Sequence, residues 1–390
     1  MIERFANGHV VTPTGVLNGG AIDVGDDGLI RSIAPLGDDA AGAVDLDGGW
    51  LLPGFIDTQV NGGGGVLFND AMSVEAIATI GRAHRRFGTT AFMPTLISDE
   101  PDRIAAALDA VDAAIAAGVP GLVGIHVEGP FINVERRGIH EARRIRKIDQ
   151  EAIDLLTRPR AGKVIVTLAP EKCDLDAVRA LVAHGVIVSI GHSDAAYEQA
   201  QAAMDAGAIG VTHLYNAMSP LAHRAPGVVG AALDDHRVWA GLIVDRVHVH
   251  PAAVRIAIAA KGADRIMLVT DAMSSIGTSN RSFDLQGKAI HIRDGSCFYA
   301  DGTLAGSNLD MATAFRNTVA ITGMRPDAVA PMSAGNAARF LGLSERYGTI
   351  AEGQRADWTW LSADMQPRGT WIAGTSAEFT DIDRPGIAAE

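Results

Sequence analysis

Eight short apolar runs, each followed by a stretch with helical spacing, occupy the chain from about residue 50 to residue 273 and restrict its fold more than any other feature. They are LLPGFIDTQV, TTAFMPTLI, LVGIHVEGP, KVIVTLAP, VIVSIGHS, IGVTHLYNAM, AGLIVDRVHV and RIMLVTDAM. Between them lie stretches such as SVEAIATIGRAHRRFG, DRIAAALDAVDAAIAAG and DAAYEQAQAAMDAG, which are rich in alanine and carry polar faces, as amphipathic helices do. Eight strand–helix units over roughly 250 residues predict a (β/α)8 TIM-like barrel.

The ends of the chain break this rhythm. Residues 1–50 and 346–390 read as short strands and turns, and neither piece alone would bury much core. The expectation is that they join into one small β-sandwich domain beside a barrel of residues 51–345, with a hairpin from about 283–304 added to it. With 390 residues, 47% of them apolar, the chain is long enough for both parts. It has no charge-free apolar run of about 18 residues, and MIERFANGHVV lacks a basic stretch leading into an apolar one. Cys173 and Cys297 are too few for a disulfide framework. A cytoplasmic protein without membrane contact is expected, and a net charge of -13 argues against nucleic acid as a partner.

Active sites of such barrels form at the C-terminal ends of the strands. Four of the runs end in residues that bind metals or move protons: Glu128 in HVEGPF, His192 in GHSD, His213 in THLYNAM and Asp271 in VTDAM. One such residue alone is more often a turn-former; four at the same end of one barrel point to a site. Two imidazoles and a carboxylate match the three protein ligands of a catalytic zinc site, which leaves a position open for water. The same set suits non-haem iron, but an aspartate beside it favours hydrolysis, with Asp271 as general base and then general acid. The first run ends differently: where a two-metal hydrolase would offer alternating histidines, it has Gln59 and Asn61, neutral amides able to contact water or substrate. One divalent ion per subunit is therefore expected, zinc first, with Fe2+, Co2+ or Mn2+ also compatible.

ERRGIHEARRIRK, residues 135–147, places six basic residues and His140 directly after the Glu128 run, and in an acidic chain it reads as an anion-facing lip. Arg224, in LAHRAPG, offers a forked donor suited to phosphate. His248 ends the seventh run on the same rim, whereas His9, His84, His236, His250 and His291 read as structural.

The motifs PGFID, HVEGPF, GIHEA, GHSDA, THLYNAM and VTDAM, in that order, resemble the amidohydrolase superfamily and, more closely, its N-acetylglucosamine-6-phosphate deacetylase family. The resemblance continues through AGSNLDM and GTIAEGQRADW, nearly the whole chain. It implies a barrel of the metal-dependent hydrolase type with a small β-sandwich, Glu128, His192 and His213 as metal ligands, and Asp271 as the catalytic acid/base. His140 would hydrogen-bond the substrate near its acetamido group, while Asn216, Ala217, Arg224 and His248 would hold the sugar phosphate. The implied partner is a phosphorylated amino sugar, and the implied assembly a homodimer with the phosphate pocket near the subunit interface. One departure stands out: the family usually has Asp-Gly before the seventh-strand His, and here the pair is Asp245-Arg246. Deacetylation of the galactosamine epimer and an inactive scaffold remain the alternatives.

Overall fold

The computed structural model of the protein describes residues 2–37, 41–285 and 287–378. Its centre is an eight-stranded parallel sheet, in order Phe55–Val60, Thr89–Ile97, Gly124–Glu128, Lys163–Leu168, Ile187–Ile190, Gly210–Val211, Trp239–Leu242 and Ile266–Leu268. The first and last strands meet at their C-terminal ends: Val60 bridges to Ala272, and the Asp271 N–H donates to the Gln59 carbonyl at 2.9 Å. All nine residues of Thr89–Ile97 are buried, as expected for a strand covered on both faces. The helices supply that cover. Val74–Arg85 is capped by Ser73, whose side chain accepts from the Ala76 N–H, and buries Ile77, Ile80, Ala83 and His84 along one stripe. Ile77 and Ile80 each contribute about 1.5–3 kcal/mol by leaving water.

The later strands are shorter than their apolar runs suggest. The sixth is only Gly210–Val211, so His213, Tyr215 and Asn216 already belong to the loop that follows. The first run divides in two. Trp50–Pro53 pairs with Ile2–Thr12 and with Trp358–Leu361, and only Phe55–Val60 enters the barrel. The switch falls at Gly54, whose N–H donates to Asp357 while the next N–H donates to Gly88. A side chain at Gly54 would stand 2.2 Å from the Thr90 hydroxyl, so only glycine lets the backbone change sheets there.

The two chain ends share one eight-stranded mixed sheet. Phe5 meets Trp358 and Trp371 edge-on at 5.9 and 5.8 Å. The strands that carry Phe5 and Trp371 are three positions apart in the sheet, about 14 Å if it were flat. The sheet therefore folds over on itself as a small sandwich around these rings. Residues 379–390, assigned above to this part, lie outside the described residues.

The 283–304 segment departs from expectation. It belongs to a separate four-stranded sheet, Ser282–Leu285, Lys288–Arg293, Ser296–Tyr299 and Leu304–Ser307, and among the described residues none of these strands pairs with the terminal sheet. The insert leaves the chain beyond the eighth barrel strand, on the C-terminal face. There its apolar residues Leu285, Ile290, Cys297 and Ala305 find Leu67, Ile97 and Met273 to pack against. The terminal sheet sits at the opposite end, where the barrel strands begin.

Candidate active site

Glu128, His140, His192, His213, Asn216, Ala217, His248 and Asp271 line one cavity of about 150 Å³ at the C-terminal mouth, together with Ile97, Gly138, Ile139, Leu304 and Gly306. His192, His213, Ala217 and Asp271 have φ of 49°, 33°, 49° and 52°. Non-glycine residues avoid that region at a cost of order 1–3 kcal/mol each, and such strain concentrates at functional sites. A cavity of about 200 Å³ outside the barrel is lined by surface groups such as Asp102, Arg146, Asp149 and Arg158 and brings no comparable set together.

Three donor atoms converge. Glu128 Oε1 lies 3.0 Å from His192 Nε2 and 3.0 Å from His213 Nε2, and the two nitrogens are 3.0 Å apart. His192 Nδ1 donates to the Arg136 carbonyl at 2.8 Å, so a neutral His192 turns a lone pair, not a proton, toward the carboxylate. One shared proton would satisfy one edge of this triangle; a single metal ion would satisfy all three atoms. The donor set thus fits a bound cation. Burial alone would raise the Glu128 carboxyl, but its close contacts with His192 and His213 outweigh it and hold it well below the ordinary value.

His140 is also close enough to join a ligand group with Glu128 and His192. Its ring decides against it. The backbone N–H of Ser98 donates to His140 Nδ1 at 3.1 Å, so the neutral tautomer carries its proton on Nε2. Burial, reinforced by the nearby His192, lowers its pKa well below the usual value and keeps it neutral. Such a ring donates a hydrogen bond rather than a lone pair.

The first-strand amides stand behind the triangle. Gln59 Nε2 lies 3.1 Å from both Glu128 oxygens and 3.2 Å from Asp271 Oδ1, which also accepts from Asn61 Nδ2 at 2.7 Å. Burial, and next the charge of Glu128, raises the Asp271 carboxyl to about 6. Beneath it, Asp57 accepts from the Thr270 hydroxyl at 2.5 Å and ties the first strand to the eighth. Near the seventh strand, His248 Nδ1 donates to Asp245 Oδ2 at 2.6 Å.

Other expectations are modified. Four of the six basic residues in 135–147 are already paired: Arg136 with Asp194, Arg143 with Glu141, Arg144 with Asp99 and Arg146 with Glu100. The anion-facing lip is therefore largely neutralised. Arg224 is exposed in a turn bridged by Ala222 and Ala225, outside the cavity lining. Arg246 has φ 68° and directs its Nε to Asn317, 3.2 Å away, on Met311–Thr322. His84 is buried and donates through Nε2 to the Gly62 carbonyl at 2.9 Å, a structural role as expected.

Sequence reading passed over Asp57, Ser98 and His126, and noted Asp245 only as the neighbour of Arg246. His126 sits between the Thr58 carbonyl and the Thr167 hydroxyl. Alternation could have found two of them, because Asp57 and His126 lie two residues before Gln59 and Glu128 and so share their strand faces. Nothing local marks Ser98.

A profile of the Amidohydrolase family matches residues 50–377. The chain is 44% identical over 331 residues to an N-acetylgalactosamine-6-phosphate deacetylase of Shewanella sp. (strain ANA-3), covering 84% of this chain and 83% of the relative. It is 36% identical over 353 residues to an N-acetylglucosamine-6-phosphate deacetylase of Haemophilus influenzae, covering 89% and 92%. The crystal structure of N-acetylglucosamine-6-phosphate deacetylase from Pasteurella multocida superimposes with a TM-score of 0.92 at 35% identity, over 97% of this chain and all of that one. The chain belongs to the amidohydrolase family and, within it, groups with the deacetylases of 6-phosphorylated N-acetyl amino sugars.

Proposed function

We propose that the protein hydrolyses the acetamido group of N-acetylglucosamine 6-phosphate, giving glucosamine 6-phosphate and acetate. The observation that carries this reading is the triangle of Glu128, His192 and His213 beside Asp271, in a chain whose relatives carry the same activity in their names. These three residues would hold one divalent ion, zinc before iron, cobalt or manganese. When bound, the ion supplies Lewis acidity and makes water acidic enough to attack a carbonyl near neutral pH.

The chain's own groups do the rest. His140 Nε2–H donates to the acetamido oxygen as negative charge develops there. Asp271, raised to about 6 by burial and then by the Glu128 charge, is still mostly ionised at neutral pH. Asp271 takes the proton of the attacking water and returns it to the nitrogen as the C–N bond breaks. Gln59 and Asn61 fix its Oδ1 meanwhile.

His248, Asn216 and the Ala217 backbone are assigned to the sugar phosphate. Arg224 is exposed and outside its own cavity, which suits a residue that serves a neighbouring copy in a homodimer. No helix of the described residues is long and apolar enough to cross a membrane, in keeping with a cytoplasmic enzyme.

The Shewanella relative favours a second reading, the galactosamine epimer. Acetate release from both 6-phosphates, measured side by side on zinc-loaded protein, tests both. Faster turnover of the glucosamine epimer is expected, the reverse ranking selects the second reading, and no release from either would sink both.

A further inference from the structure

We propose that Ser296, on the insert sheet, is a positioning residue that orients His248 in the active-site cavity. The inference rests on a short chain of hydrogen bonds. Ser296 Oγ donates to Asp245 Oδ2 at 2.7 Å, and the same oxygen accepts from His248 Nδ1 at 2.6 Å. Asp245 Oδ1 is occupied by the N–H groups of Val247 and His248, at 2.9 and 2.8 Å. The carboxylate is therefore held by the loop backbone on Oδ1 and by both the His248 ring and the insert on Oδ2. Burial would raise its pKa, but the hydrogen bond from His248 and those that follow outweigh it, so Asp245 remains an acceptor. With Nδ1 committed, Nε2 is the atom His248 turns to the cavity.

Ser296 has a companion. It lies directly opposite Ser307 in the insert ladder, and both are fully buried. Ser307 Oγ donates to the Thr270 carbonyl at 2.5 Å, and its N–H donates to the Asp271 carbonyl at 3.1 Å. One pair of facing serines thus fastens the insert to the ends of the seventh and eighth barrel strands. Buried hydroxyls in an apolar sheet face are retained only when satisfied, and these two find their partners on active-site loops. The insert sets the aim of His248 through Ser296, while Ser307 anchors the strand-eight backbone.

The substrate consequence rests on the assignment of His248 to the phosphate; the imidazole readout does not. Zinc-loaded protein labelled with ring-¹⁵N histidine is compared as wild type, Ser296→Ala, Ser296→Thr and Ser307→Ala, with His248→Gln to identify the His248 Nδ1–H signal. In Ser296→Ala that proton should exchange with water at least tenfold faster. KM for N-acetylglucosamine 6-phosphate should rise about tenfold with kcat within twofold, and Ser296→Thr should restore both. Ser307→Ala should leave the His248 signal in place. Faster exchange with an unchanged KM supports the positioning of His248 and removes His248 from phosphate binding. An unaltered signal in Ser296→Ala overturns the proposal, as does equal loss in Ser307→Ala, which would indicate general loosening of the insert.

Discussion

The first barrel strand and the fifth and sixth end at the same rim, yet they offer opposite chemistry. Beyond the fifth and sixth strands stand His192 and His213, whose ring nitrogens converge with Glu128 at 3.0 Å. The first strand presents Gln59 and Asn61, whose amide N–H groups point at two carboxylates, Glu128, which faces the histidines, and Asp271. One side of the rim can share a cation; the other supplies neutral donors that hold carboxylates apart without adding charge. Under the function proposed above, the first-strand amides would keep Asp271 oriented without a second metal.

The sharpest break in this comparison is Asp271→Asn. It should leave one metal per subunit by elemental analysis and cut deacetylation by about 10²–10⁴-fold, the usual worth of a positioned acid/base group. On the cationic side, Glu128→Gln should bring metal content close to zero after dialysis, because it removes the one charged ligand. On the amide side, Gln59→Leu strips both Glu128 oxygens of a donor. Metal affinity, by competition with a chelator, should fall about 10–100-fold, as for other groups that orient a ligand. Two tightly held ions in the wild type would contradict the contrast itself.

Smaller effects come from the supports. His84 holds the Gly62 carbonyl behind the first-strand amides, and burial pushes its imidazole down to about 4 from an ordinary 6.5. The unfolded chain therefore binds more protons between pH 6.5 and 4. The stability due to a neutral His84 is complete above about 6.5 and is lost as pH falls toward 4, by on the order of 3 kcal/mol. Urea unfolding of metal-free protein across that window should show a shallower pH slope in His84→Gln. The smallest effect belongs to Arg246→Gly. Relief of φ 68° should change stability by less than about 1 kcal/mol and leave KM unaltered, since the guanidinium reaches for Asn317.

The barrel was legible because both-faced burial of parallel strands writes itself as continuous apolar runs, and the polar residues closing those runs mark the catalytic rim. Glu128, His192, His213 and Asp271 could be read that way and do converge. The division of LLPGFID at Gly54 was hidden, because a strand that changes sheets keeps the same apolar composition on both sides. The insert was misplaced for a related reason: alternation shows that a strand has an apolar face, but not which surface will cover it. Arg224 and the 135–147 cluster looked alike as charge, and only distances separate paired cations from an exposed one.

The terminal sheet also fixes an order of events during synthesis. Trp50–Pro53 forms part of its centre, and one of its two neighbours there is Trp358–Leu361, about 300 residues later in the chain. Until the ribosome has made that strand, the early strands present an open edge, and Phe5 lacks the two indole rings that enclose it. All eight barrel strands are complete by Leu268, so the barrel can close before the small sandwich does. The strands that carry Phe5 and Trp50 are made before the whole barrel and completed after it.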